Sequence, residues 1–445
     1  MNWKATKLSE FLTERDGRIK CESANQLGLQ RIKKIDFSGN IHLDAETDTK
    51  TDMIRVKSGD LVVSGINAAK GAIAVHAEDE DVLATIHYSA YEFNPDRISV
   101  DFLKWFFKSS EFSDLLREQI PGGIKTELKP KHILPLQVKL PKLSEQIKLA
   151  ERLNRFRLEQ LKLEHEITNQ QTLLAKLNQA ILQEAIQGKL TADWRAANPE
   201  VEPASQLLLR IQAEKARLIT DKKIKAGVRQ QAVDDAQNNL SIPTGWEFPH
   251  LDDVSMFVTD GTHQTPTYTT TGRIFLSAQN VKPFKFMPEQ HKFVSEKAFM
   301  EYTNNRKAEK GDLLLGRVGA GIGETAVVDR DLDFAFYVSL GMVKTFKEYT
   351  FPQYLAIVFN SPYGIRYARG NTSSKGGSAG NFNLGRIRSF RIPLPPLAEQ
   401  VAIVERVETL MTTCRALEAE IEQSRTHAAD LLQAVLKEAF APASA

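Results

Sequence analysis

The sequence predicts a mixed α+β chain built as a tandem duplication. Two globular α/β units are each followed by a long helix, and the two helices pair as an antiparallel coiled coil in a pseudo-twofold layout. Three observations predict this. The first is a repeated helix start: Leu140-Pro141-Lys142-Leu143-Ser144-Glu145-Gln146 returns as Leu394-Pro395-Pro396-Leu397-Ala398-Glu399-Gln400, each followed by a long proline-free amphipathic run. The second is a shared seam at alternating steps of three and four. It reads Leu149, Leu153, Phe156, Gln160, Leu163, Ile167, Gln170, Leu174, Leu177 and Ile181 in the first run. In the second, 254 residues later, it reads Ile403, Val407, Leu410, Cys414, Leu417, Ile421, Ser424, Ala428, Leu431 and Val435. A 3.5-residue repeat held this long is a coiled-coil seam that a lone helix would not leave bare. The third is that the globular stretches repeat too. Gly59-Asp60-Leu61-Val62-Val63 matches Gly311-Asp312-Leu313-Leu314-Leu315 at an offset of 252, and Gly122-Gly123 matches Gly376-Gly377 at 254. A period this long, occurring twice, implies a pseudo-twofold pair and not a solenoid.

Taken in order, residues 1–139 form the first globular unit. Short β-rich runs such as Asp60-Leu61-Val62-Val63 and Ala72-Ile73-Ala74-Val75 alternate with turns, and a helix is expected over 101–120, stopped by Pro121-Gly122-Gly123. The first long helix occupies 140–187 and is capped by Gly188. Residues 188–245 are a linker with one more helix over 204–225, carrying Leu207, Leu208, Ile211 and Leu218 on one face, followed by a polar, mobile stretch at 226–239. The second globular unit spans 246–393, and 394–445 hold the second long helix and tail.

Composition narrows the function classes. The chain has 445 residues, 42% of them hydrophobic and 26% charged, the profile of a soluble globular protein with two or three cores. The formal net charge is only +2, so any nucleic-acid surface is local. Cys21 and Cys414 lie far apart, a reduced, cytoplasmic pattern with no disulfide framework. No His or Cys spacing suggests a metal, and no signal peptide or membrane span is legible.

Two stretches carry the groups that hold DNA. From Tyr349 to Ala398 there is no Asp or Glu, while Arg366, Arg369, Lys375, Arg386, Arg388 and Arg391 are basic. Between them Asn371-Thr372-Ser373-Ser374-Lys375-Gly376-Gly377-Ser378-Ala379-Gly380-Asn381 is a loop of small donors. Backbone amides, hydroxyls such as that of Ser374, and Lys or Arg are phosphate ligands. The matching stretch of the first unit is basic as well, with Lys125, Lys129, Lys131, His132 and Lys139 against one Glu127. The second stretch is Asp260-Gly261-Thr262-His263-Gln264-Thr265-Pro266, a turn exposing Thr262, His263 and Gln264, side chains able to read base edges. Glycines 316, 319, 321 and 323 follow a strand as a nucleotide loop would. Their spacing is not G-x-G-x-x-G, and the duplicated partner keeps only Gly65 and Gly71, so they read as a tight β-turn. No catalytic motif for phosphate, metal, acyl or base-methyl chemistry is present.

Together the repeated helix start at 394–400, Asp260-Gly261-Thr262-His263, and Ile242-Pro243-Thr244-Gly245-Trp246 resemble the specificity subunit of type I restriction-modification enzymes, over essentially the whole chain. The resemblance implies two target-recognition domains, each binding half of a bipartite DNA site, with the paired helices as a spacer. It implies docking of two methyltransferase subunits and two motor-nuclease subunits, and places S-adenosylmethionine, ATP and magnesium in those partners, with no cofactor in this chain. The chain departs from the pattern in the first unit, where the Asp-Gly-Thr-His turn has no clear counterpart. The expectation is a non-catalytic, cytoplasmic, sequence-specific DNA-binding subunit. The rivals are a stand-alone S-adenosylmethionine-dependent DNA methyltransferase using the glycines at 316–323, and a coiled-coil scaffold without DNA affinity.

Overall fold

The repeated Gly-Asp-apolar stretch forms the same strand in both halves of the chain. Leu61–Ser64 pairs antiparallel with Ile73–Val75 on one side and Tyr88–Phe93 on the other, and Leu12–Glu14 completes a four-stranded sheet. Leu313–Gly316, Thr325–Val327, Leu340–Thr345 and Ser255–Asp260 form a second sheet in the same order. Even the register is kept: Leu61 faces Val75 and Leu313 faces Val327, with both partners 252 residues on. The two central strands are buried along their whole length, which explains their unbroken apolar composition. Asp60 and Asp312 close the preceding turns by accepting the amides of Lys57 and Glu309. Each of these buried carboxylates also meets a cation, Arg15 at 2.6 Å and Lys344 at 2.8 Å, as burial of a charge demands.

This computed structural model describes residues 3–44, 48–119, 127–231, 240–304, 306–372 and 380–440. The chain divides into two compact units, Met1–Gln170 with Glu420–Ala445, and Gln171–Ala419. Each globular part thus packs with one half of each long helix. The first unit adds a five-stranded sheet, Arg18–Ile19, Met53–Val56, Val82–Thr85, Arg31–Ile35 and Ile41–Asp44 in spatial order. The second adds a three-stranded one, Lys292–Val294, Arg273–Leu276 and Phe334–Phe336, whose last pair is parallel. The mixed α+β class expected from the sequence is the class observed.

The single helix expected over 101–120 is two helices, Val100–Lys108 and Ser110–Gln119. Buried Ser109 breaks it: its hydroxyl donates to the Phe106 carbonyl and accepts the Phe112 amide, ending one helix and capping the next. The second unit repeats the device 252 residues later, where Ser361 separates Pro352–Asn360 from Pro362–Gly370. The apolar faces of these helices form the centre of each core, with Phe102, Phe106, Phe107 and Phe112 in one and Tyr354, Phe359 and Tyr367 in the other.

The long helices are Leu143–Ile186 and Leu397–Phe440, each of 44 residues. The glutamine of the repeated start fastens each to its own unit. Gln146 accepts the Ser99 amide at 2.9 Å and donates to the Pro141 carbonyl; Gln400 accepts the Phe351 amide at 3.0 Å and donates to Pro395. The helices run antiparallel within both units. In the first, Gln160 reaches the Ala428 carbonyl while Leu153, earlier in its helix, shares a core with Leu436 and Phe440. In the second, Ile181 and Ile186 share a core with Ile403 and Val407.

Only part of the expected seam is closed. Residues spaced by seven are the covered ones: Leu153, Ile167, Ile181, Val407 and Cys414 are buried, with Leu174, Ile421 and Val435 partly so. The intervening positions Leu163, Leu177, Leu417 and Leu431 are 42–51% exposed, which corrects the expectation that they lie in the seam. Two helices can cover one strip of each other fully; the second strip needs a further element above it.

The linker helix is Ala204–Thr220, five residues shorter than expected. Residues 232–239 lie outside the described residues. The stretch just before them is not loose, because Gln230 bonds Gly385 and Ser389, and Arg229 pairs with Asp253. Among the described residues no helix is long and apolar enough to cross a membrane.

Candidate nucleic-acid interface

Asp260 ends a strand, and the turn that follows must pass close under a neighbouring backbone. A Cβ on Gly261 would stand 2.1 Å from the Phe336 carbonyl oxygen, so only glycine fits. Thr262 is buried: its amide bonds Phe336 and its hydroxyl accepts the Gln264 amide. Thr262 therefore shapes the turn, and His263, Gln264 and Thr265 are the exposed side chains. His263 Nε2 hydrogen-bonds Asp260 at 3.1 Å, and Gln264 donates to Glu301 at 2.8 Å.

Arg317, which the sequence reading did not single out, is the centre of this region. It is 3% exposed and its guanidinium bonds Asp260, the Val338 carbonyl, the Phe382 carbonyl at 3.0 Å and the Asn381 side chain. Burial pulls its pKa below the ordinary arginine value, and the Asp260 carboxylate pushes it back. One buried cation thus ties the Asp-Gly-Thr-His turn to residues 381–382, at the far end of the loop of small donors. The glycine-rich stretch lies alongside, with Val318 bridged to Asn381. It is a closed turn: the Gly316 amide bonds Glu324 and the Gly323 amide returns to Gly316.

The basic residues divide by exposure. Arg366 and Arg369 stand exposed on Pro362–Gly370, and neither has an ion-pair partner among the described residues. Arg386 is half-buried and donates to the Asn371 carbonyl at 2.8 Å, holding the loop's first end. Arg388 and Arg391 are taken up by the Val258 and Phe248 carbonyls. Ser374 and Lys375 lie outside the described residues, as does Lys125 in the first unit. Lys129 and Lys131 are exposed, Lys129 lying 3.8 Å from Glu127.

Strand register supplies the counterpart that the sequence hid. Val258 faces Val343, and Glu14 faces Tyr91, which is Val343's match 252 residues earlier. Two residues on, Asp16-Gly17 therefore stands where Asp260-Gly261 stands. A Cβ on Gly17 would again meet a carbonyl, that of Arg55, at 2.9 Å. The following side chains, Arg18 and Lys20, are exposed. The two-residue match was too short to find, because the offset here is 244 and not 252. Among the described residues, no group of three or more His, Cys, Asp or Glu could hold a metal ion.

Comparison with known proteins agrees with this layout. Residues 243–424 match the family model described as the type I restriction modification DNA specificity domain. The specificity subunits of the type I restriction enzymes EcoEI and EcoAI of Escherichia coli are 24% and 26% identical over 269 and 264 residues, 58% of this chain in each case. The chain spans less than half the length of these relatives, 44% and 43%. A solved chain from a study of complex assembly and conformational transition of the type I R-M system has the same fold, with a TM-score of 0.62 at 15% identity, covering 99% of this chain and 97% of that one. Residues 243–424 are thus similar to the type I restriction modification DNA specificity domain, and the chain shares its fold with the solved type I R-M chain.

Proposed function

We propose that this chain is the DNA-recognition subunit of a type I restriction-modification complex, each globular unit reading one half of a bipartite target. The observation that carries the proposal is the doubled Asp-Gly turn. An Asp-Gly step follows the equivalent strand of the equivalent four-stranded sheet in both units, with exposed polar or basic side chains after it. Two equivalent reading surfaces in one chain suit a two-part site. In the second unit the turn exposes His263 and Gln264, while Arg366 and Arg369 are free to meet phosphate; in the first, Arg18, Lys20, Lys129 and Lys131 are exposed basic side chains. Direct reading of bases needs side chains of the first kind, and positioning on the duplex needs those of the second.

The chain itself is non-catalytic in this reading and works in the cytoplasm. S-adenosylmethionine, ATP and magnesium are assigned to methyltransferase and motor-nuclease partners, two of each. The uncovered leucines of the long helices, Leu163, Leu177, Leu417 and Leu431, suit helices of such partners. The stand-alone methyltransferase reading has little support, since the glycine turn is closed on itself by main-chain bonds.

The test is to assemble the chain with its host's methyltransferase subunits and measure duplex binding against salt. The proposal expects one bipartite sequence to be preferred by at least ~10³-fold over random duplex, with an affinity that falls steeply as salt rises. Binding with no sequence preference would contradict it.

A further inference from the structure

In the second unit the chain fills a groove at the start of the second long helix with its own linker. Gly188 ends the first helix, and Leu190 then packs on the core. Glu399, 1% exposed, accepts the Thr191 hydroxyl at 2.7 Å and the Arg195 guanidinium on one oxygen, and the Trp246 indole N–H at 2.8 Å on the other. Leucine, threonine and arginine thus come from one short turn, and the carboxylate and indole from the two ends of the globular unit.

The first unit builds the same receptor, and no described residue supplies the matching leucine, threonine and arginine. Its strand Lys4–Lys7 sets Lys4 against Leu140, as Glu247 is set against Leu394, so Trp3 holds the place of Trp246. Glu145 holds the place of Glu399 in the repeated helix start. Among the described residues, exposed Glu145 has no side-chain partner and the buried Trp3 indole nitrogen has no acceptor. The two line a groove of about 480 Å³ whose opposite wall is Val435, Glu438 and Ala439.

We propose that this groove receives a partner polypeptide of the same chemistry: a short helical turn with an apolar residue, a hydroxyl beside it, and an arginine one turn later. The arginine and hydroxyl bind Glu145, and the ordered carboxylate then takes the Trp3 indole N–H. A buried donor without an acceptor is costly, and the occupant removes that cost. A second copy of this chain is the poorer occupant, because its own plug is already held by Glu399, Trp246 and the core. The inference stands apart from the DNA-binding reading.

A labelled peptide of residues 187–199 is a direct probe, since it is the plug of the second unit. Fluorescence polarisation with the full-length chain is expected to show saturable binding. Binding should weaken at least tenfold for Glu145→Gln, for Trp3→Phe, and for a peptide with glutamine in place of Arg195. The altered peptide leaves the protein untouched, so the inference remains testable even if a variant misfolds. Prior assembly with the methyltransferase subunits should abolish peptide binding. Absence of binding, equal binding to Glu145→Gln, or undiminished binding to the assembled complex would each overturn the proposal. Self-association of the chain alone that is lost in Glu145→Gln would overturn the choice of partner in favour of a second copy.

Discussion

Gln160 on the first long helix donates its side-chain amide to the main-chain carbonyl of Ala428 on the second, at 3.1 Å. Its oxygen accepts Arg157 at 2.7 Å, so a buried polar side chain in the covered strip is satisfied on both sides. A polar group inside a helix pair favours one register over its neighbours, because only one alignment offers it a partner. Gln160→Ala is expected to cost about 1–2 kcal/mol in urea unfolding of the full chain, and Gln160→Leu distinctly less. Equal losses for both would mean that the hydrogen bonds contribute nothing beyond packing.

Glu399 and Glu145 hold the same place in the duplication with opposite surroundings. Removing one partner of a buried ion pair typically costs 3–5 kcal/mol, roughly the loss expected for Glu399→Ala. Glu145→Ala, at an exposed and unpaired position, should stay within about 0.5 kcal/mol of the parent. Denaturation midpoints of the two variants, compared at unchanged slope, check this contrast.

Among the arginines of the second unit, exposure separates the proposed DNA ligands from structural ones. Arg366→Gln and Arg369→Gln should each lower the slope of log affinity against log salt by about one, without loss of stability. Arg388→Gln should do the reverse, since its guanidinium bonds the Val258 carbonyl at 2.6 Å. A salt slope unchanged in both exposed-arginine variants would remove that helix from the DNA face.

Arg317 ties the Asp260-Gly261-Thr262-His263 turn to residues 381–382. Arg317→Met is expected to weaken specific DNA binding at least tenfold and to destabilise the second unit, because buried Asp260 loses its cation. Adding Asp260→Asn should recover part of the stability but not the DNA affinity. Full recovery of affinity in the double variant would show that the arginine acts only on stability.

The duplication was legible because it is written in apolar pattern and in backbone-critical residues. The Gly-Asp strands kept their register to the residue, and the repeated glutamines turned out to clamp helix to domain. What the sequence concealed depended on partners distant in the chain. Arg317 looks like one more basic residue until Asp260, Val338 and Phe382 surround it. Thr262 and Gln264 look alike in a turn, yet one is buried. The seam was overread for a physical reason: the heptad pattern records every apolar strip of a helix, including those that this chain leaves open, as at Leu177 and Leu417. Asp16-Gly17 escaped notice because two residues at a shifted offset carry no signal without the strand pairing.

In the proposed function the two globular units read separate halves of one DNA site. It is tested most directly by replacing residues 246–393 with the corresponding domain of another specificity subunit, expressing the hybrid with its methyltransferase partners, and mapping modified bases across a genome. One half of the bipartite sequence is expected to change and the other to stay as in the parent. Modified sites altered in both halves, or in neither, would contradict it.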